Sequence, residues 1–98
     1  MEIREFQELM HQIYYQRDQQ RGLAGTFVWF AEEVGELAKS IRERNNQNYA
    51  EEFSDVLAWL TSLANLLGID LEQAVGKYKQ GCSRCGKIPC ECGQKSLK

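Results

Sequence analysis

Phe27-Val28-Trp29-Phe30-Ala31-Glu32-Glu33-Val34-Gly35-Glu36-Leu37-Ala38-Lys39-Ser40-Ile41 is the stretch on which the fold turns. Phe27, Phe30, Val34, Leu37, Ala38 and Ile41 recur at helical spacing, which predicts a helix from about Thr26 to Arg44, with Thr26 placed to cap its start. Beyond it, Asn45-Asn46-Gln47-Asn48 is a polar break suited to a turn. A second apolar stripe follows, Phe53, Val56, Leu57, Leu60, Leu63, Ala64 and Leu67, predicting a helix from about Tyr49 to Leu67 with Gly68 as its stop. On the N-terminal side, Ile3, Phe6, Met10, Ile13, Tyr14 and Arg17 predict a helix from about Glu2 to Gln20, ended by Asp18-Gln19-Gln20-Arg21-Gly22. Asp70-Leu71-Glu72-Gln73 has the form of a capping box and starts a last helix, expected to end near Lys79–Gly81. No segment alternates with period two for long enough to be a strand. Short connections between long helices favour antiparallel neighbours, so the expectation is an all-α, four-helix bundle over residues 1–80. The segment 81–98 is rich in Gly, Cys and Lys and poor in apolar residues, and reads as a small appendage.

Length and composition bound what such a bundle does. A chain of 98 residues is one small domain, and at this size only about 60–65% of the unfolded surface is buried on folding. An oligomer, a metal or disulfides are expected to make up the difference. Apolar residues are 43% and charged residues 27%, ordinary for a globular protein. The longest uncharged run, Val56 to Ile69, is 14 residues, short of the roughly 20 a membrane span needs. Met1-Glu2-Ile3-Arg4-Glu5 has no basic region leading into an apolar stretch, so no secretion signal is expected and the default compartment is the cytoplasm. The net charge is −2, but seven of the 14 acids fall between Glu32 and Asp55 against three basic residues. An acidic centre repels nucleic-acid phosphate, so stable nucleic-acid binding is not expected.

The acids sit beside the apolar stripes. Advancing about 100° per residue, Glu33 and Glu36 flank the stripe of the Thr26–Arg44 helix on one side, and Glu52 and Asp55 flank that of the Tyr49–Leu67 helix likewise. Trp29 and Trp59 lie on the same arcs. Antiparallel packing of the two helices then brings four carboxylates together. Mutual repulsion and desolvation disfavour that arrangement unless some are protonated or a cation intervenes. Oxygen ligands without histidine or cysteine select Mg²⁺ or Mn²⁺ over zinc, and Mg²⁺ shares its shell with substrate phosphates. The chemistry suggested is hydrolysis of a phosphate ester or anhydride. The bland alternative is a pair of solvated helix flanks. Glu32 and Glu51 face further from the core, and His11 has no assigned role.

Cys82-Ser83-Arg84-Cys85 and Pro89-Cys90-Glu91-Cys92 give C-x₂-C-x₄-C-x-C. Four thiolates complete a tetrahedral Zn²⁺ shell, and clustered cysteines in a reducing compartment read as a metal site before disulfides. A flexible thiol tail and disulfides remain the alternatives.

Glu32-Glu33-Val34-Gly35-Glu36-Leu37 has the form E-E-x-x-E, and Glu52-Phe53-Ser54-Asp55 the form E-x-x-D, with fifteen residues between them. Together they resemble the MazG-like family of all-α nucleoside triphosphate pyrophosphohydrolases, over about residues 1–80. The resemblance implies cleavage between the α and β phosphates to a monophosphate and pyrophosphate. It implies Glu33, Glu36, Glu52 and Asp55 as Mg²⁺ ligands, Glu32 as a further acid that orients or deprotonates water, and a homodimer or a dimer of dimers. Phosphoribosyl-ATP pyrophosphohydrolase shares the fold and chemistry but has a different motif context. The acids do not specify a base. Trp59, one turn after Asp55, is placed to stack on one, and Trp29 likewise; a core or interface position is the alternative for both. Lys77 and Lys79 are placed either to meet phosphate oxygens or to lie solvated at a helix C-terminus. The competing function class is a non-catalytic helical dimer that serves as a partner-binding or regulatory module.

Overall fold

The computed structural model describes residues 1–93, so the last five residues of the expected appendage lie outside it. The described residues are all-α, with no strand among them. Helix α1 spans Ile3–Arg42, α2 spans Tyr49–Leu67 and α3 spans Leu71–Ala74, followed by a 3₁₀ turn, Val75–Tyr78.

The two helices expected before Arg44 are the two arms of α1, which is broken at Gly22, where the first was expected to end. Gly22 has φ 85° and ψ 166°, and helical geometry resumes at once on either side. That backbone region is open essentially to glycine alone. The expected polar terminator, Asp18 to Gly22, is therefore helical up to Arg21, and Thr26 is not a cap. Thr26 lies inside the second arm of α1 and is fully buried. Its hydroxyl accepts from Arg21 Nη1 at 3.4 Å, and the same nitrogen donates to Asp18 Oδ1 at 2.9 Å. One guanidinium thus ties together the residues on both sides of the break.

The α2 expectation holds at both ends. Gly68 takes the left-handed conformation, φ 68° and ψ 28°, and its N–H returns to the carbonyls of Ala64 and Asn65. The turn before α2 is closed by Ser40, whose hydroxyl donates to the Asn45 carbonyl at 3.3 Å. Both arms of α1 pack on α2. In the first arm, Gln7 Nε2 donates to Asn65 Oδ1 at 3.0 Å and to the Ile69 carbonyl at 2.7 Å, while its Oε1 accepts from the Leu71 N–H at 2.9 Å. In the second arm, Trp29 stacks on Trp59 with centroids 6.1 Å apart.

The expected fourth helix is shorter than predicted. Asp70 does cap it, accepting from the Gln73 N–H at 3.2 Å, and Arg4 pairs with Asp70 at 3.1 Å and Glu72 at 3.3 Å. But no residue from Leu71 to Tyr78 is buried, and short helices draw their stability from packing. The segment is one α-turn tightening into a 3₁₀ turn.

The apolar stripes are only half used. Among the described residues the buried apolar side chains are Met10, Leu63 and Ala64. Phe27, Phe53 and Leu67, all expected in the core, are 57%, 58% and 59% exposed. Leu23, Phe27, Val28, Leu60 and Leu67 line an open apolar groove between the second arm and α2. No helix among the described residues is long and apolar enough to cross a membrane.

Gly22→Ala forces a β-carbon into the glycine-only region, so it is expected to lower stability by about 1–3 kcal/mol. Gly35, helical and with open space at its Cβ position, is the matched control. Gly35→Ala should stabilise by about 0.5–1 kcal/mol. Urea denaturation of the two variants distinguishes the signs.

Candidate functional site

Each acidic motif sits on a regular stretch of helix, so the i, i+3 spacing puts its side chains on one face. The second arm of α1 presents Glu33 to α2, and α2 presents Glu52 and Asp55. One carboxylate oxygen from each of these three lies within 4.8 Å of the others, and all three residues are partly buried. The Glu33 carboxyl is held above the usual glutamate value of 4.5, by desolvation first and then by the charges of Asp55, Glu52, Glu36 and Glu32. Glu52 is raised for the same reasons, desolvation leading and Asp55 next. Four expected ligands therefore divide into three that converge and one, Glu36, that is exposed beside them yet close enough to act on both Glu33 and Glu52. Glu32 is exposed and acts on Glu33 alone of these.

Opposite vertices of a Mg²⁺ octahedron are about 4.2 Å apart, from bonds of about 2.1 Å. Three ligands of one octahedron must include neighbouring vertices, about 3.0 Å apart, so oxygens within 4.8 Å have to draw closer to share an ion. The donor set is all oxygen, so the residues present suit a hard divalent cation and leave positions for water or phosphate.

Beside this triad is a recess of about 260 Å³. Asp55 forms one wall. Tyr14, Arg17, Asp18 and Arg21 come from the first arm of α1, and Trp59 comes from α2. The Arg21 guanidinium lies over the Trp59 ring, 4.7 Å from its centroid. Gly25 makes room for the Arg21 stem, since a Cβ there would stand 2.9 Å from Arg21 Cγ. Asp18 is 1% exposed, with Oδ1 held by Arg21 and Oδ2 buried without a partner.

Of the residues read as nucleotide contacts, Trp29 and Trp59 meet each other beside the acids, Trp59 partly buried and Trp29 exposed. Lys77 and Lys79 do not line this recess. Lys77 lies over its neighbour Tyr78, Nζ 4.9 Å from the ring centroid, and Lys79 follows the 3₁₀ turn. Sequence reasoning missed Tyr14, Asp18 and Arg21 and gave Arg17 only an apolar-covering role. The available signal was Asp18 and Arg21 at i, i+3, a charge pair in what was read as a polar terminator.

A second cluster lies after the 3₁₀ turn. The sulfurs of Cys82, Cys85, Cys90 and Cys92 all lie within 4.8 Å of one another. Cys82 and Cys92 are 3.7 Å apart, and Cys85 and Cys90 are 4.0 Å apart. A tetrahedron built on metal–sulfur bonds of about 2.3 Å has edges of about 3.8 Å. Backbone N–H groups are aimed at the sulfurs: Arg84 at Cys82 (3.4 Å), Glu91 at Cys85 (3.4 Å) and Cys92 at Cys90 (3.3 Å). N–H donors from Cys85 and Arg84 bring the Cys82 thiol down to about 6. Cys92, facing the other three sulfurs, is pushed up to about 12. The cluster is arranged to carry thiolate charge that a metal would share.

None of the curated proteins matches the chain. A family model described as the MazG nucleotide pyrophosphohydrolase domain matches residues 21–84, about two thirds of the sequence. The match begins at Arg21, beside the break in α1, contains both acidic motifs, and ends inside the cysteine cluster. On that match, and with the motif carboxylates meeting across α1 and α2, the chain belongs to the MazG nucleotide pyrophosphohydrolase domain family.

Proposed function

We propose that the protein is a Mg²⁺-dependent pyrophosphohydrolase that cleaves nucleoside triphosphates to a monophosphate and pyrophosphate, with Mn²⁺ as an alternative ion. The observation that carries this reading is the convergence of Glu33, Glu52 and Asp55 next to a recess walled by arginine and tryptophan. When bound, the ion would offset polyphosphate charge and make an attacking water more acidic. Glu33, Glu52 and Asp55 would hold it, with the exposed Glu36 as the fourth acid. Glu32, one residue before Glu33 and outside the triad, orients water or takes its proton. Trp59 and Trp29 form the aromatic wall against the base. Lys77 and Lys79 serve phosphate oxygens only if the segment after α3 approaches the acids in the assembled protein. We further propose residues 1–80 as the hydrolase domain and 81–98 as a structural zinc appendage held by Cys82, Cys85, Cys90 and Cys92.

The exposed groove lined by Phe27, Leu60 and Leu67 supports a homodimer or homotetramer, since contiguous apolar surface of this kind marks an interface. Light scattering at micromolar concentration should report at least two chains. A monomer with full activity would sink this part of the reading.

Pyrophosphate release from a nucleoside triphosphate panel should require Mg²⁺. Asp55→Asn should lower turnover at limiting Mg²⁺ on the order of 100-fold, the scale set by removing one charge-stabilising group. Glu51→Gln should leave it unchanged. A folded protein that releases no pyrophosphate from any member of the panel would favour the non-catalytic dimer instead.

Glu33 and Glu52 also predict how stability depends on pH. Their folded values are raised above 4.5, so the stability they contribute is complete below that value and is lost as pH rises through the raised values. The metal-free protein should therefore lose thermal stability relative to Glu52→Gln as pH climbs from about 4.5 towards neutrality. Added Mg²⁺ should reverse the difference at neutral pH. Comparison with the variant separates this effect from Asp70, whose depressed value acts in the opposite sense at lower pH.

Purified protein should carry about one Zn²⁺ per chain, released by thiol modification. Truncation after Gln80 should retain Mg²⁺-dependent hydrolysis and lower the thermal midpoint. Absence of zinc in chelator-free preparations, or loss of hydrolysis from a folded truncated protein, would count against the assignment.

A further inference from the structure

We propose that the cysteine cluster is a peroxide-responsive zinc-release site, in which oxidation closes two disulfides, Cys82–Cys92 and Cys85–Cys90, and so removes the four zinc ligands. This rests on the zinc reading of the appendage and adds what the ligand set does when it is oxidised.

The sulfurs are already matched in pairs. Cys82 Sγ lies 3.7 Å from Cys92 Sγ, and Cys85 Sγ lies 4.0 Å from Cys90 Sγ. A disulfide bond is about 2 Å long, so neither pair has to close by more than about 2 Å. The pairing is nested: the first cysteine meets the last, and the two inner ones meet each other. It therefore ties the two halves of the motif together rather than closing either half on itself. Backbone contacts shape the loop without help from an ion. The Gly86 N–H donates to the Cys82 carbonyl at 2.8 Å, and the Cys82 N–H donates to the Lys87 carbonyl at 3.1 Å. Gly81, at φ 127°, approaches this loop so closely that a Cβ on it would stand 2.8 Å from the Gly86 carbonyl oxygen. The two pairs thus stay matched once the ion has gone.

The cluster is also open to a small oxidant. Cys90 is exposed, and Cys82, Cys85 and Cys92 are only partly buried. Zinc ligation keeps sulfurs as thiolates, the form that attacks peroxide. The Cys90 thiolate attacks hydrogen peroxide: an S–O bond forms, the O–O bond breaks, hydroxide leaves, and Cys90 becomes a sulfenic acid. The Cys85 thiolate then attacks the Cys90 sulfur. The S–S bond forms, the S–O bond breaks, and a second hydroxide leaves. Two electrons have passed from the sulfur pair to one peroxide, and two protons from solvent turn the hydroxides into water. Cys82 and Cys92 repeat the sequence with a second peroxide. The four thiolate charges that held the ion are then gone, and Zn²⁺ passes to solvent.

The experiment treats full-length protein, one portion loaded with zinc and one stripped by a chelator that is then removed, with a small molar excess of hydrogen peroxide. A chromogenic zinc indicator follows the ion, a thiol reagent counts free cysteines, and mass spectrometry of unreduced peptides reads the pairing. Trypsin with a glutamate-specific protease separates all four cysteines, because Arg84, Lys87 and Glu91 fall between them. The expected result in the loaded portion is release of about one zinc per chain, in step with the loss of all four thiols. Both portions should yield the Cys82–Cys92 and Cys85–Cys90 links, and a thiol reductant should restore zinc binding. Cys90→Ser should keep the Cys82–Cys92 link and leave Cys85 outside any disulfide. Zinc retained while peroxide persists, any other pairing, or thiols lost to sulfinic acid without disulfides would overturn the proposal. A protein that takes up no zinc overturns the zinc reading and with it the release, and the stripped portion still decides the pairing. None of these readouts depends on whether Mg²⁺-dependent pyrophosphate release is found.

Discussion

Forty helical residues in a straight line would run about 60 Å, yet the longest dimension of the molecule is 43 Å. The difference is made at Gly22, where one non-helical residue lets α1 change direction without leaving the helical regime on either side. Everything that makes up the site depends on this. The first arm brings Tyr14, Asp18 and Arg21 to α2 near Trp59, and the second brings Trp29 and Glu33 to the same helix. A straight α1 would present one face to α2 and could supply the acids or the recess, but not both. The Asp18–Arg21–Thr26 contacts then hold the break at a fixed geometry, with burial making each of those hydrogen bonds costly to lose.

Much of this was legible from residue order. The α2 boundaries and the Gly68 stop follow from local rules that act within a turn or two, and the Glu33, Glu52 and Asp55 arcs follow from helical periodicity. The break was legible too, since it falls at Gly22, the last residue of the terminator Asp18-Gln19-Gln20-Arg21-Gly22; that helix resumes at Leu23 rather than at Thr26 was not. Arg21 reaches across that one-residue break to Thr26, a contact that periodicity does not encode. The last helix failed for the reverse reason. Its capping signal at Asp70 is real and is used, but a cap starts a helix without sustaining it, and no residue from Val75 to Tyr78 is buried. Glu36 was placed on the right arc, but the angle around a helix does not tell how far a side chain stands from the helix opposite.

The two clusters divide the chemistry of cations cleanly. Glu33, Glu52 and Asp55 offer only oxygen, and Cys82, Cys85, Cys90 and Cys92 only sulfur. Hard ions with strongly held water prefer the first, and soft ions that tolerate a closed tetrahedral shell prefer the second. Neither cluster is comfortable without an ion. Burial and like charge raise Glu33 and Glu52, and the Cys92 thiol is pushed up by the three sulfurs it faces. A bound cation would offset that crowding of like charge.

The same logic extends to the apolar surface. Met10, Leu63 and Ala64 are few buried side chains for a chain of this length, while Phe27, Phe53 and Leu67 stay in the open. At roughly 25 cal/mol per Å², covering such residues contributes substantially to association. Anything that binds the folded form and not the unfolded one stabilises it by mass action. Residues of one helix pair thus serve two ends. One side carries the oxygen donors of Glu33, Glu52 and Asp55, and the groove lined by Leu23, Phe27, Val28 and Leu60 is suited to another apolar surface. Because Phe27 and Glu33 lie on the same arm of α1, ordering the arm by covering its apolar side also fixes the position of its carboxylate. A partner covering the groove and an ion held by Glu33 would thus both act on the same arm of α1.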